Sequence, residues 1–343
     1  MAYDGRVLRR ALQRFEEDRQ ERDKRFQERR ESIFRRQPRL RQIDAELRST
    51  TSRIISSALR RGTDPLPVLE VLRDENLSLQ EEKRALLEKM GLPQDCLEDK
   101  PACALCGDTG YRGGEMCRCL RNYYAREQRK ELSRMLDLAG QSFETFSLDW
   151  YSPEILPGLG ISARKNMERN YQECKQYAES FAAPGSGNLL LTGPPGLGKT
   201  FLSAAIAREV SGDGWSVVYD TATHIFQRFE DRKFGREEGE EAEGDVTRVL
   251  TCDLLILDDL GTEFDSSFYQ STIYNLINTR LNRSLPTIIS TNLDFNGISN
   301  RYEERITSRI YANYSILRFV GQDVRIMKAQ QAFRKEKERG NRP

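Results

Sequence analysis

The chain has 343 residues, of which 31% are charged and 38% are apolar, and its formal net charge is +1. This length is enough for two domains, and the apolar share excludes wholesale disorder. Lys and Arg outnumber Asp and Glu in residues 1–40 and 325–343, so both ends suit a phosphate backbone, an acidic protein surface or simply solvent.

Three further features bear on the cellular location. No stretch approaches the roughly 18 apolar residues that a membrane span requires. The arginine-rich N-terminus lacks an apolar core and contains Glu16, Glu17 and Asp18, so it does not fit a signal or transit peptide. Because four of the 7 cysteines crowd between residues 103 and 119, they favour a metal site in a reducing compartment over a disulfide framework. We therefore expect a cytoplasmic protein without membrane contacts.

Residues 1–95 are predicted to form a charged helical arm. Apolar residues recur at helical spacing in residues 8–15 and, more loosely, in residues 40–54. Residues 63–65, Thr-Asp-Pro, predict a helix start, and the Gly and Pro within residues 91–93 predict a stop. The narrow apolar stripe favours an antiparallel helical hairpin or a short coiled coil. Such an arm serves either as a partner-binding element or for dimerisation.

Residues 96–125 are predicted to form a small zinc module. Four thiolates in the pattern C-x2-C-x10-C-x-C suffice for one tetrahedral zinc ion, and the single distant histidine leaves an all-cysteine ligand set. Four protein ligands leave no open position, so a structural site is expected. Reduced free thiols and an Fe–S cluster are the alternatives. The predicted ligands are Cys103, Cys106, Cys117 and Cys119.

Residues 126–165 are predicted to be a linker, whose aromatic part at 143–151 docks on the domain that follows. A helix over 167–181 comes next, and strands then alternate with helices through residue 328. This alternation predicts a parallel α/β sheet covered on both faces. The predicted strands are 189–191, 215–219, 254–257, 287–290 and 316–320.

Four further features lie in this part of the chain. The acidic stretch 235–245 is predicted to be an exposed, mobile loop, and residues 329–343 a basic tail. The one histidine, His224, is expected to be an ordinary helix residue. Arg325, close before the tail, is a candidate second sensor of the nucleotide.

The segment GPPGLGKT fits the phosphate-loop pattern G-x-x-x-x-G-K-[ST], with a predicted strand before it and a helix after it. Its glycines let backbone N–H groups turn toward phosphate oxygens at a helix N-terminus. Lys199 is expected to neutralise the β- and γ-phosphates, and the Thr200 hydroxyl to bind magnesium. The predicted ATP-binding residues are Gly193, Pro194, Pro195, Gly196, Leu197, Gly198, Lys199 and Thr200.

The segment LLILDD is a buried strand that ends in two acids, the Walker B arrangement. Asp258 is expected to bind magnesium, and Asp259 to orient or deprotonate the attacking water. Asp259 is one methylene shorter than the more usual Glu, which leaves Glu263 as a second candidate base. A helix N-cap is the alternative role for Asp259.

Polar residues farther along are candidates for sensing the γ-phosphate. Asn292 ends a strand predicted to lie beside the phosphate strand, and an Asx turn is its alternative role. Arg305 and Arg309 are four residues apart, hence on one helix face. Arg309 is favoured over Arg305 as an arginine finger that reaches a neighbouring subunit. Surface ion pairs with Glu303 or Glu304 are the alternative.

The segment from about 143 to 328 resembles the bacterial replicative-helicase loaders of the DnaC/DnaI type, AAA+ ATPases related to IstB-type transposition helpers. The resemblance rests on GPPGLGKT, LLILDDLGTE, STN and ERITSRI. It implies an AAA+ P-loop parallel sheet with flanking helices, here preceded by a helical arm and a Cys-rich zinc module.

The same resemblance implies a function. ATP and Mg²⁺ would control homo-oligomer assembly and single-stranded DNA contact, while the N-terminal part binds a hexameric replicative helicase. The alternative is an IstB-type transposition helper or nucleotide-gated adaptor with little turnover. The arm and zinc module favour the loader, and Asp259 keeps the adaptor open.

Overall fold

The computed structural model describes residues 3–58, 66–135, 140–234 and 240–340. The predicted helix start at residues 63–65 lies outside these ranges. The chain divides into two compact units, Gln13–Cys117 and Met1–Leu12 together with Arg118–Pro343. Within the four ranges, none of the helices is long and apolar enough to cross a membrane.

The first unit consists of long helices followed by the cysteine-rich loops. The helices Pro38–Ala58 and Leu66–Lys89 pack against each other, and the Arg39 guanidinium donates to both carboxylate oxygens of Glu82 at 2.8 Å. Leu40 and Leu87 are buried between them. The helical prediction for this region therefore holds over the described residues. Its elements are α1 (Gly5–Arg36, whose first turns lie in the other unit), α2 (Pro38–Ala58), α3 (Leu66–Lys89), β1 (Tyr111–Arg112) and β2 (Glu115–Met116).

The second unit is a five-stranded parallel sheet with helices on both faces. Its strands are β3 (Asn188–Thr192), β4 (Val217–Thr221), β5 (Leu254–Leu260), β6 (Thr287–Thr291) and β7 (Tyr314–Arg318). Its helices are α4 (Arg118–Met135), α5 (Ala163–Glu179), α6 (Lys199–Gly212), α7 (Ala222–Phe234), α8 (Glu240–Thr251), α9 (Ser267–Asn282), α10 (Phe295–Arg301), α11 (Glu304–Asn313) and α12 (Val324–Gly340).

The strand order β4-β5-β6-β3-β7 confirms the predicted fold class. Strand β6 lies between β5 and the phosphate strand β3, as expected for a sheet with the fourth strand inserted there. The carboxyl ends of β3, β5 and β6 therefore meet at one edge, where ligands bind in open α/β sheets. The buried apolar runs of the central strands pack against helices on either side.

Several predicted boundaries differ from the structure. Strands β4 and β7 are displaced by two residues from the predictions at 215–219 and 316–320, because an apolar run does not fix where pairing starts. The predicted acidic loop is wrong from residue 240 onward, because α8 begins at Glu240. The segment is acidic, and the N-terminus of a helix favours acidic residues. Residues 235–239 are not described. Residues 329–340, predicted as a tail, continue α12.

The front of the second unit also differs from the predicted division. Helix α4 runs across the predicted boundary at residue 125, and Gln128 donates from its amide nitrogen to the Val217 carbonyl at 3.3 Å. The aromatic segment 143–151 packs on the sheet domain, where Phe143 and Tyr151 are buried. These residues therefore form part of the folded second unit.

Candidate nucleotide-binding site

The loop between β3 and α6 has the geometry of an anion-binding turn. Gly193, Gly196 and Gly198 have φ angles of 142°, 75° and 92°, which side chains rarely adopt. A Cβ on Gly193 would collide with the Phe319 carbonyl, and one on Gly196 with the Asp323 carboxylate. Because α6 begins at Lys199, its free N–H groups point into the loop.

Lys199 is held at the centre of this loop. Its side chain is buried, and Nζ donates to the carbonyl oxygens of Gly193 and Pro194 at 2.6 and 2.8 Å and to Asn292 Oδ1 at 2.8 Å. Burial lowers the pKa of Lys199 to about 8, although the negative charges of Asp259 and Asp258 act to raise it. The ammonium group therefore joins the phosphate loop to the end of β6.

The two acids of LLILDD lie in a β-bulge. Leu257 pairs with Ile289 and Leu260 with Thr291, so Asp258 and Asp259 both stand opposite Ser290. Ser290 Oγ accepts from the Asp259 backbone N–H at 3.0 Å and donates to Asp258 Oδ1. Asp259 has a φ of 53°, a left-handed conformation that Asp tolerates better than most residues. The bulge turns the two carboxylates in different directions.

Asp258 is 4% exposed and accepts hydrogen bonds on both carboxylate oxygens. Ser290 donates to one, and the Tyr219 hydroxyl donates to the other at 2.7 Å. Burial, reinforced by Asp258, raises the pKa of Tyr219 well above its ordinary value, so the hydroxyl keeps its proton. Neither Tyr219 nor Ser290 was among the predicted site residues, because both contacts join strands far apart in sequence.

Asp259 turns toward open space instead. Burial raises its pKa, the neighbouring Asp258 charge raises it further, and Asn292 Nδ2 lies 3.4 Å from its Oδ1. Both residues line a cavity of about 620 Å³. The same cavity is lined by Lys199, Thr200 and Asp258. These five predicted site residues, together with three more residues of the phosphate loop, therefore meet in one pocket.

The opposite wall of the pocket is aromatic. Phe146, Trp150 and Tyr151 line it, and the Tyr151 hydroxyl donates to the Leu197 carbonyl at 3.0 Å. The Lys328 ammonium lies 5.5 Å from the centre of the Trp150 ring. The segment predicted to be a docking linker thus forms a wall of the pocket.

Glu263, the second candidate base, does not line the pocket. It is buried, where its carboxylate accepts from the Gly261 N–H at 2.8 Å and from the Tyr302 hydroxyl, and it lies 3.7 Å from the Arg301 guanidinium. These bonds occupy its oxygens in a buried ion-pair cluster. The geometry therefore favours Asp259 over Glu263.

Arg305 and Arg309 lie on one face of α11, each guanidinium 4.6 Å from the centre of the Tyr274 ring. Arg309 also donates to the Tyr274 hydroxyl at 3.0 Å and to Asn278 Oδ1 at 3.1 Å, whereas Arg305 pairs with Glu303 at 2.5 Å. Neither arginine lines the pocket of its own chain. The salt-bridge alternative thus describes Arg305 only.

Two further residues from the sequence analysis, Arg325 and His224, each lie beside a single aspartate. Arg325 lines the pocket, with an ion pair to Asp323 at 3.5 Å and a side chain 71% exposed. His224 lies in α7, where Nδ1 is 3.1 Å from Asp220 Oδ1.

The four predicted cysteine ligands come together. Their sulfur atoms all lie within 4.8 Å of one another, and those of Cys103 and Cys117 are 3.8 Å apart. Zn–S bonds of about 2.3 Å in a tetrahedron place the sulfurs about 3.8 Å apart, so the donor set fits zinc. The Asp108 carboxylate accepts from the N–H groups of Ala102 and Cys103 at 2.9 and 2.8 Å, which orders the loop that carries Cys103.

Purified protein is expected to contain about one zinc ion per chain. The double variant Cys103→Ser, Cys106→Ser should lose the metal. Residues 96–119 should then become accessible to protease, because no metal ion holds the loops together. ATP binding should persist, since no cysteine of the cluster lines the pocket. Cys96→Ser is the control, because Cys96 packs in an apolar cluster outside the four.

Elemental analysis decides between the alternatives. A metal-free wild-type protein with protected N-terminal loops would contradict the zinc assignment. Iron with visible absorption would replace it by an Fe–S cluster.

Comparison with known proteins finds relatives for the part of the chain that contains the phosphate loop. Residues 175–328 match the family described as IstB-like ATP binding protein. The replicative helicase loader DnaC of Escherichia coli (strain K12) is 30% identical over 147 residues, 42% of this chain and 58% of the loader. A putative insertion sequence ATP-binding protein of Sinorhizobium fredii is 35% identical over 105 residues, 31% of this chain and 34% of that protein.

Among solved structures, the crystal structure of the DnaC helicase loader matches with a TM-score of 0.42 and 23% identity, over 52% of this chain and 98% of that one. The chain thus spans little more than half the length of the curated loader that it resembles. The match over residues 175–328 contains the phosphate loop, the bulged acids and the end of β6. Residues 175–328 thus match the IstB-like ATP binding proteins, and part of the chain is similar in sequence to the DnaC helicase loader and to an insertion-sequence ATP-binding protein.

Proposed function

We propose that this chain is an ATPase that loads a hexameric replicative DNA helicase onto single-stranded DNA, with ATP binding and hydrolysis controlling assembly and release. One observation carries the ATPase part: Lys199, Asp258, Asp259 and Asn292 converge on one pocket at the N-terminus of a helix. The similarity to replicative helicase loaders supports the choice of partner. We place the protein in the cytoplasm, where four neighbouring thiols stay reduced.

The predicted site residues that line the pocket have separate roles in this proposal. The loop N–H groups and the Lys199 ammonium hold the β- and γ-phosphates, and the aromatic wall packs on the base. Thr200 and Asp258 would hold a magnesium ion, which neutralises charge on the transferred phosphoryl group. Asp259 orients the attacking water and accepts its proton. Asn292, within reach of both Lys199 and Asp259, orients these groups toward the γ-phosphate.

Oligomerisation completes the proposed site. Arg309, on α11, lies outside the pocket of its own chain. Its guanidinium donates to Tyr274 and Asn278 on α9. We assign it as an arginine finger for the γ-phosphate of an adjacent copy in a homo-oligomer that assembles on ATP binding. Arg325, at the rim of the pocket, is the second sensor in the same chain.

A second candidate is an IstB-type transposition helper, or a nucleotide-gated adaptor with little turnover. The family match over residues 175–328 favours it, as does the short side chain of Asp259. The neighbouring genes distinguish the two candidates. A replicative helicase gene beside this one would support the loader, and a transposase gene would support the helper.

Asp259→Asn tests the hydrolytic step. An amide cannot accept the proton, so turnover should fall by about 10²–10⁴-fold while ATP affinity stays the same. Asn tolerates the left-handed backbone at this position, which keeps the bulge intact. Phosphate release and equilibrium binding of a fluorescent ATP analogue measure the two quantities.

Glu263→Gln is the matched control, because it makes the same chemical change at a carboxylate outside the pocket. Its turnover should stay near wild type. Sustained turnover in Asp259→Asn together with loss in Glu263→Gln would move the base to Glu263. Negligible turnover in the wild-type oligomer would favour the adaptor.

A further inference from the structure

Tyr219 is a buried tyrosine whose hydroxyl reaches the Walker B carboxylate from a neighbouring strand. It lies in β4, 4% exposed, with its hydroxyl 2.7 Å from Asp258 Oδ2 and 3.1 Å from Ser203 Oγ. In the register of β4 and β5, Tyr219 pairs with Ile256 and Thr221 with Asp258. Side chains two residues apart share a face of the sheet, so Tyr219 and Asp258 face α6 together.

The direction of these hydrogen bonds follows from the groups themselves. An ionised carboxylate only accepts, so Tyr219 donates its single proton to Asp258, and its oxygen is left to accept from Ser203. Ser290 Oγ donates to the other carboxylate oxygen. The Asp258 carboxylate is therefore fixed from two sides, by β4 and by β6.

The same chain of contacts reaches the other proposed magnesium ligand. Ser203 lies in α6, three residues after Thr200, and its Oγ is 3.1 Å from both the Thr200 carbonyl oxygen and the Tyr219 oxygen, so these two acceptors share its single proton. All three side chains of Ser203, Tyr219 and Asp258 are buried, so little water competes for these bonds. Tyr219 thus joins the helix that carries Thr200 to the strand that carries Asp258.

We propose that Tyr219 is a positioning residue for magnesium, which holds the Asp258 carboxylate in the orientation needed to receive the ion beside Thr200. The inference rests on the proposed ATPase function and adds a determinant of its metal dependence. Groups that hydrogen-bond to ligating carboxylates orient them, and removing such a group costs about 10–100-fold in metal affinity or activity. Tyr219 acts through Asp258 and does not itself touch the nucleotide.

Tyr219→Phe removes only the hydroxyl and preserves the ring. The binding of a fluorescent ATP analogue is measured against free Mg²⁺ concentration and, separately, in excess EDTA. The Mg²⁺ concentration at half-saturation should rise about 10-fold or more, whereas affinity in EDTA should be unchanged. The matched control is Tyr177→Phe, which removes a hydroxyl bonded to the Gly187 carbonyl oxygen at 3.0 Å, away from the pocket.

Other outcomes overturn the inference. An unchanged Mg²⁺ half-saturation in Tyr219→Phe would do so, and so would an equal loss of affinity with and without Mg²⁺, which indicates general damage. If nucleotide binding and turnover of the wild-type protein do not depend on Mg²⁺, the proposed function is overturned as well. This wild-type measurement therefore distinguishes failure of the proposed function from failure of the Tyr219 inference alone. If Tyr219→Phe unfolds, Ser203→Ala decides: a smaller rise in half-saturation supports the inference, and no rise contradicts it.

Discussion

Arg309→Ala is expected to lower ATP turnover by about 10³–10⁵-fold, the range that arginine fingers contribute. ATP binding should change little, because the phosphate loop and Lys199 belong to the same chain and Arg309 does not line that pocket. In its own chain the Arg309 guanidinium, on α11, donates to Tyr274 and Asn278 on α9, and these bonds fix its orientation. Turnover of the wild type should therefore rise with protein concentration.

Mixing separates a finger that acts in trans from a structural role. Arg309→Ala keeps a working phosphate loop, and Lys199→Ala keeps its finger, so mixed assemblies should recover activity that neither variant shows alone. Arg305→Ala is the matched control, because Arg305 lies over the same Tyr274 ring but pairs with Glu303. Mixed assemblies that form without recovering activity would return Arg309 to a structural role and make Arg305 the next candidate.

Lys199→Ala is expected to weaken ATP affinity by about 100-fold or more. In the proposed complex the buried Lys199 ammonium bonds to the β- and γ-phosphate oxygens, and hydrogen bonds to charged groups contribute about 1.5–3 kcal/mol each. Equilibrium binding of a fluorescent ATP analogue measures the loss. Lys328→Ala, at an exposed lysine over Trp150 in the same pocket, should bind almost normally. Equal affinities in the Lys199 variant and the wild type would contradict the assignment of the phosphate loop.

The parts of the fold that the sequence predicts well are those with local causes. The phosphate loop depends on glycines with positive φ angles that lie within six residues of one another. The spacing of its motif predicted the start of the helix at Lys199. The four cysteines likewise lie within 17 consecutive residues of sequence, and their sulfurs cluster as predicted. The strand that precedes Asn292 lies beside the phosphate strand, as the sequence analysis expected.

The details that the sequence does not predict depend on distant partners. The bulge at Asp258 and Asp259 needs Ser290 on another strand, and the Tyr219 contact needs the exact pairing of β4 with β5. Likewise, the exclusion of Glu263 from the pocket depends on Tyr302. No local pattern encodes such contacts. Charge alone was also misleading, since the acidic residues after Glu240 form the start of α8.

The most direct measurement of the proposed function is helicase loading itself. The replicative helicase of the same organism is incubated with circular single-stranded DNA, ATP and the full chain, and the helicase that remains on the circle is counted after a challenge with competitor DNA. Wild-type protein should load the hexamer, while Lys199→Ala should not. Loading that is equal with the Lys199 variant, or no complex between the chain and the helicase in ATP, would contradict an ATP-controlled helicase loader.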